Sequence, residues 1–118
     1  MGGSGKGITG MTIRASALQG GIILGTASTV LYLAPASTSG VVKRGVFTNV
    51  GAVTITVTAT VTRGASPPLT IISAQPVSAG QAYIASELSN LVLGPGDMIA
   101  ASCSAAASVN AFLSGFVM

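Results

Sequence analysis

Chemistry in this chain would have to come from very few residues. Its 118 positions include no histidine, a single cysteine (Cys103) and two carboxylates, Glu87 and Asp97. Without histidine, the usual general base and the commonest metal ligand are both missing. One cysteine cannot assemble a zinc site or close an intrachain disulfide. Two acids suffice in number for a paired-carboxylate hydrolase, but there is no tryptophan, and few other aromatics, to stack a sugar. Asp97 sits in Gly94-Pro95-Gly96-Asp97, where a short acidic side chain is suited to hydrogen-bonding the turn backbone. Gly2-Gly3-Ser4-Gly5-Lys6-Gly7 looks superficially like a phosphate-binding loop. Such a loop follows a buried strand, opens a helix and carries Ser or Thr after its Lys. Here no strand precedes the glycines, and Gly7 takes the place of the hydroxyl. The expectation is a protein that is not an enzyme and holds no cofactor or metal.

The most regular feature is a ladder of hydroxyls. From Ala52 to Arg63, Val53, Ile55, Val57, Ala59 and Val61 alternate with Thr54, Thr56, Thr58, Thr60 and Thr62. Period-two alternation of β-branched residues predicts a strand with one face buried and the other polar. A threonine array can bind ice only when several such strands stack into a flat surface, and this chain has one. Further strands are predicted near 29–33, 41–48, 69–73, 81–85, 88–93, 98–104 and 109–117. Turn signals separate them at Pro35, Gly51, Gly64 to Pro68, Pro76 with Gly80, and Gly94 to Asp97. Residues 82–91 could hide one helical turn. Short strands at this spacing predict an all-β, antiparallel β-sandwich, jelly-roll-like fold. Tyr32, Phe47, Tyr83, Phe112 and Phe116 fall on separate strands, as core anchors or rim contacts.

Charged residues make up only 6% of the chain, replaced by Ser, Thr, Ala and Gly. A free monomer keeps its surface charged to stay soluble, so a surface this neutral suits packing against other protein. The net charge of +3 comes from scattered bases, of which only Lys43 and Arg44 are adjacent. They read as a charged pair at the entry to an exposed strand, and binding of nucleic acid is not expected. Positions 98–118 carry no charge over the length of a membrane span, but Ser102, Ser104, Ser108, Asn110 and Ser114 dilute them, so no membrane partner is expected. Residues 1–10 hold one Lys and no apolar run, and Lys6 stands where myristoylation needs Ser or Thr, which points to synthesis in a cytoplasm. Cys103, among small residues, reads as a buried small hydrophobe.

Residues 1–20 form a second region, read as an extended arm ahead of a β-sandwich at 21–118. Gly2, Gly3, Gly5, Gly7 and Gly10 make ordering this segment costly in entropy. Contacts to a neighbouring subunit would offset that cost, with Ile8, Met11, Ile13 and Leu18 as the apolar side chains available. With Thr54, Thr56, Thr58 and Thr60 of the ladder, these are the candidate assembly contacts.

The segment Val30-Leu31-Tyr32-Leu33-Ala34-Pro35-Ala36-Ser37-Thr38, followed by a Val/Thr strand, by Leu93-Gly94-Pro95-Gly96-Asp97-Met98-Ile99 and by Ser114-Gly115-Phe116 in a closing strand, resembles small accessory virion proteins of tailed bacteriophages. The resemblance covers roughly residues 27–118; the glycine-rich arm and the apolar Phe116-Val117-Met118 end depart from it. It implies a structural virion protein made in the host cytoplasm, foremost a head decoration or cement protein bridging neighbouring capsid subunits. A tail, collar or fibre component, or a receptor- or glycan-binding module, are the alternatives. The partners it implies are the major capsid protein or other virion proteins, and further copies of the chain, with a homotrimer preferred.

Overall fold

The structure, a computed structural model, describes residues 14–118. Within them the strands are β1 (Arg14–Ile23), β2 (Thr29–Leu33), β3 (Gly40–Asn49), β4 (Ile55–Thr62), β5 (Leu69–Val77), β6 (Ala82–Ile84), β7 (Leu91–Leu93), β8 (Met98–Cys103) and β9 (Val109–Val117). A single 3-10 turn, Ser86–Leu88, separates β6 from β7. One sheet runs β1-β9-β3-β6, with β7 also pairing β3, and the other runs β2-β8-β4-β5. Every pairing is antiparallel.

This order is that of a rolled-up hairpin. The chain pairs first with last, β1 with β9, then β2 with β8, β3 with β6 and β7, and β4 with β5 at the tip. Rolling that ribbon brings β9 against β3 and β8 against β4, which closes the two sheets of a jelly roll. The all-β jelly-roll sandwich expected from alternation and turn spacing is the fold observed.

Side-chain alternation builds the core between the sheets. In β4, Ile55, Val57, Ala59 and Val61 are buried, and each intervening threonine is half-buried on the outer side. Val42, Phe47, Val109, Ala111 and Leu113 line the facing sheet. Leu88 enters the core from the 3-10 turn, over Gly45. A β-carbon on Gly45 would lie 2.6 Å from Leu88 Cδ1, so the break between β6 and β7 and the glycine opposite it form one packing solution.

The structure departs from the sequence reading in four places. Val53, expected to face the core, is 65% exposed, because it lies in the bend before β4 begins. Pro76, read as a turn, sits inside β5, where an outer edge strand tolerates its missing N–H. The strand read at 88–93 starts only at Leu91, and Leu88 belongs to the 3-10 turn. Residues 14–20, assigned to the arm, lie in β1, so the boundary at residue 20 falls inside an edge strand of the sandwich. Gly20 and Gly21 obscured it: the β1–β9 register shifts where they occur, interrupting the alternation that marks other strands. Residues 1–13 lie outside the described residues.

Candidate assembly interface

The outward face of the five-stranded sheet is shaped by a bulge in β3. Buried and outward side chains alternate along the strand except at Lys43 and Arg44, which are both exposed. Strict alternation would drive one cation into the core, at a cost of several kcal/mol. Instead the register against β9 shifts, with Ser114 opposite Arg44 and Gly115 opposite Val42, so Lys43 is the extra residue and both charges point outward. Gly115 permits this arrangement. A β-carbon there would lie 2.0 Å from the Val41 carbonyl oxygen, a fixed backbone atom, so no larger residue fits between the strands.

Apolar rows run across the same face on either side of the cations. Ile84, Val46 and Phe112 are cross-strand neighbours on β6, β3 and β9. The Phe112 ring continues this row over Gly21 of β1. The second row is Val92, Val41, Phe116 and Ala15, on β7, β3, β9 and β1. Ile84, Val92, Phe112 and Phe116 are all exposed. Shallow depressions lie between the rows, one lined by Arg44, Val46, Phe112 and Ser114 and another by Ala15, Lys43, Ser114 and Phe116.

The opposite face, formed by β2, β4, β5 and β8, contains no charged residue on any strand. Its outer side carries Thr56, Thr58 and Thr60 of β4 beside Ser102 and Ala100 of β8. Val30 and Leu33 of β2 stand exposed beside Ala100 and Met98. Thr58 Oγ1 accepts a hydrogen bond from the Ala74 amide at 3.1 Å, tying β4 to its edge partner.

Both carboxylates are committed within the fold. Asp97 accepts from Arg63 Nη1 at 2.8 Å and from the Gly94 amide at 2.9 Å, so it holds the turn as the sequence suggested. The Arg63 hydrogen bond, aided by that amide, holds the Asp97 carboxyl below its usual range. Arg63 also donates to the Val92 carbonyl, fastening the β4–β5 hairpin tip to the β7–β8 turn. Glu87 accepts from the Tyr83 hydroxyl at 2.6 Å, which with partial burial pushes the phenol up to about 12. Among the described residues no group of three or more His, Cys, Asp or Glu side chains is placed to hold a metal ion. No helix of the described residues is long and apolar enough to cross a membrane. Cys103 is buried, as expected of a small hydrophobe.

Of the candidate contacts, Ile8, Met11 and Ile13 lie outside the described residues. Leu18 is 9% exposed and packs into the core from β1, at a second shift in the register against β9. Thr56, Thr58 and Thr60 share one outer face, while Thr54 is exposed in the bend before β4. Sequence reasoning did not assemble the Phe112 and Phe116 rows. The signal was available in β9, where Phe112, Ser114 and Phe116 alternate with Ala111, Leu113 and Gly115, so the large rings are on the face opposite the core.

No protein-family model matches the sequence, and no curated protein is similar to it. The solved structures that match include two from one virus. One is a chain in the structure of the infectious bursal disease virus Gx strain, at 12% identity and a TM-score of 0.50, over 90% of this chain and 31% of that one. The other is a chain of the Gt strain of the same virus, at 15% identity and a TM-score of 0.43, over 90% of this chain and 28% of that one. The chain therefore spans less than a third of the proteins it resembles in structure.

Proposed function

We propose that this protein is a structural subunit of a virus particle, and specifically a head decoration protein of a tailed bacteriophage that bridges neighbouring capsid subunits. The observation that carries the reading is a jelly roll with one whole sheet free of charge and apolar rows crossing the other. Contiguous apolar surface of this kind marks protein contact sites. The fold shared with a chain of a virus structure and the sequence resemblance to phage virion proteins support the viral setting. Bridging works by burial: each copy removes hydroxyl-rich and apolar surface from water across a seam between subunits, so that separating them re-exposes it.

In this reading the protein is a homotrimer, since threefold positions on an icosahedral lattice favour one and the resemblance to phage virion proteins leans that way; closed cyclic symmetry also satisfies a charge-poor surface without runaway association. The segment before β1 is the fastening, with Ile8, Met11 and Ile13 supplying apolar contacts and its backbone adding to a neighbour's sheet edge. Electron cryomicroscopy of intact particles tests the assignment, with jelly-roll density expected over the junctions between capsid subunits. Density at the tail, collar or fibre, or absence from the particle, refutes the head assignment. Mass photometry of the purified protein should give three copies, and a strict monomer on and off the particle removes the trimer. Deleting Met1 to Gly10 should leave the circular dichroism spectrum unchanged and weaken attachment to particles.

A further inference from the structure

We propose that the outward face of the five-stranded sheet docks a different protein, one that presents carboxylates flanked by apolar side chains. The proposal deepens the assembly reading, from which it takes only that other protein covers this surface. Two features define the occupant. The rows through Phe112 and Phe116 offer apolar area on both sides of the cations. The β3 bulge sets Lys43 and Arg44 between those rows, where a partner's acids would be partly shielded from water. Charge-assisted hydrogen bonds in such a setting are stronger than those at an open surface.

Charge complementarity favours a different protein over a second copy. Asp97 is held by Arg63 and Glu87 by Tyr83, and residues 1–13 contain no Asp or Glu. Both side-chain carboxylates of the described residues are thus hydrogen-bonded away from Arg44, which has no ion pair among the described residues. Two copies meeting face to face would oppose their own cations, a costly juxtaposition. A nucleic-acid strand is a poor match as well, because it needs a broad basic track and here two cations are bounded by apolar rows. An acidic and apolar protein surface satisfies both features together.

The test uses a synthetic peptide with Leu and Phe on both sides of a central Glu-Asp pair, and a counterpart with Lys-Arg at the centre. Each is titrated into the isotopically labelled full chain and followed by nuclear magnetic resonance. The acidic peptide should shift the signals of Val41, Arg44, Val46, Phe112 and Phe116 and leave Thr56, Thr58 and Thr60 unmoved. Arg44→Glu should weaken that binding by about tenfold or more, and Lys43→Glu combined with Arg44→Glu should transfer the preference to the basic peptide. Phe116→Ser, which keeps both charges, should also weaken it and serves if the charge variants do not fold. No shift at millimolar peptide, equal response to both peptides, or shifts confined to the threonine face would each overturn the proposal. So would a silent acidic peptide when phosphatidylserine vesicles or a single-stranded oligonucleotide move the same residues. No particle enters this experiment, so its failure leaves the head assignment standing, and a negative result from particle imaging leaves this surface standing.

Discussion

Gly45 and Leu88 should behave as one unit, and a double-mutant cycle measures it. In Gly45→Ala the new methyl would sit 2.6 Å from Leu88 Cδ1 and 3.1 Å from Leu113 Cδ2. Carbon atoms pack at about 3.5–4.0 Å, so the leucine tip must withdraw by about 1 Å within a filled core, an overpacking that costs about 1–3 kcal/mol. Leu88→Ala removes a fully buried side chain and should cost about 2–5 kcal/mol through lost burial and the cavity left behind. In the double variant the clashing atom is gone. The alanine at 45 then meets the β-carbon of residue 88 at an ordinary 3.6 Å and fills part of the cavity, and the space left beside it lets the Leu113 tip, at 3.1 Å, give way. The pair should therefore be less destabilised than the sum of the single variants by about 1–3 kcal/mol. Urea unfolding monitored by circular dichroism reads all four corners of the cycle. Additivity within about 0.5 kcal/mol would mean that Leu88 is not seated against Gly45.

Asn49 is fully buried, donates to the Val53 and Val77 carbonyls at 2.8 and 2.9 Å, and accepts from the Gly51 amide. Asn49→Asp replaces the donor by an acceptor facing two carbonyls and should cost about 3 kcal/mol or more in urea unfolding, because buried groups are left unpaired. Val57→Asp should abolish the folded state, since it buries a charge between the sheets, whereas Thr58→Asp should retain the β-sheet circular dichroism spectrum. Because the Asp97 carboxyl is depressed in the fold, its contribution to stability is present above the usual carboxylate range and is lost as pH falls through its folded value. Asp97→Asn should therefore flatten the acid limb of the melting temperature against pH. Tyr83 is shifted the other way: its contribution is complete below 10 and declines as pH rises through about 12. A phenolate absorbance titration in a Tyr32→Phe background should give that midpoint, and Glu87→Gln should lower it.

The fold was legible where one rule governed a segment. The β4 ladder shows its inner and outer faces because nothing interrupts the alternation, and Thr29–Leu33 and Val109–Val117 have the bounds that their turn signals gave. Where two requirements compete, the sequence alone was ambiguous. Lys43 and Arg44 break the period of β3, and the bulge that accommodates them depends on Gly115, far along the chain. Gly20 and Gly21 weaken the local signal of β1, which is recognisable as a strand only beside β9. Asn49 reads as an ordinary turn residue until the Val77 carbonyl is brought to it. The apolar rows were hidden for the same reason, since they draw single residues from β1, β3, β6, β7 and β9 and no continuous stretch contains them.

The position of β9 also sets an order of events during synthesis. It is the last of the described strands, yet it lies in the middle of its sheet, between β1 and β3. Until it has left the ribosome, β1 has no partner, the β3 bulge has no Gly115 to lie against, and neither phenylalanine of the two apolar rows exists. The two apolar rows are therefore completed only when β9 takes its place in the sheet. A nascent chain that has not yet reached β9 cannot present them, so an unfinished chain lacks the surface on which the proposed docking depends.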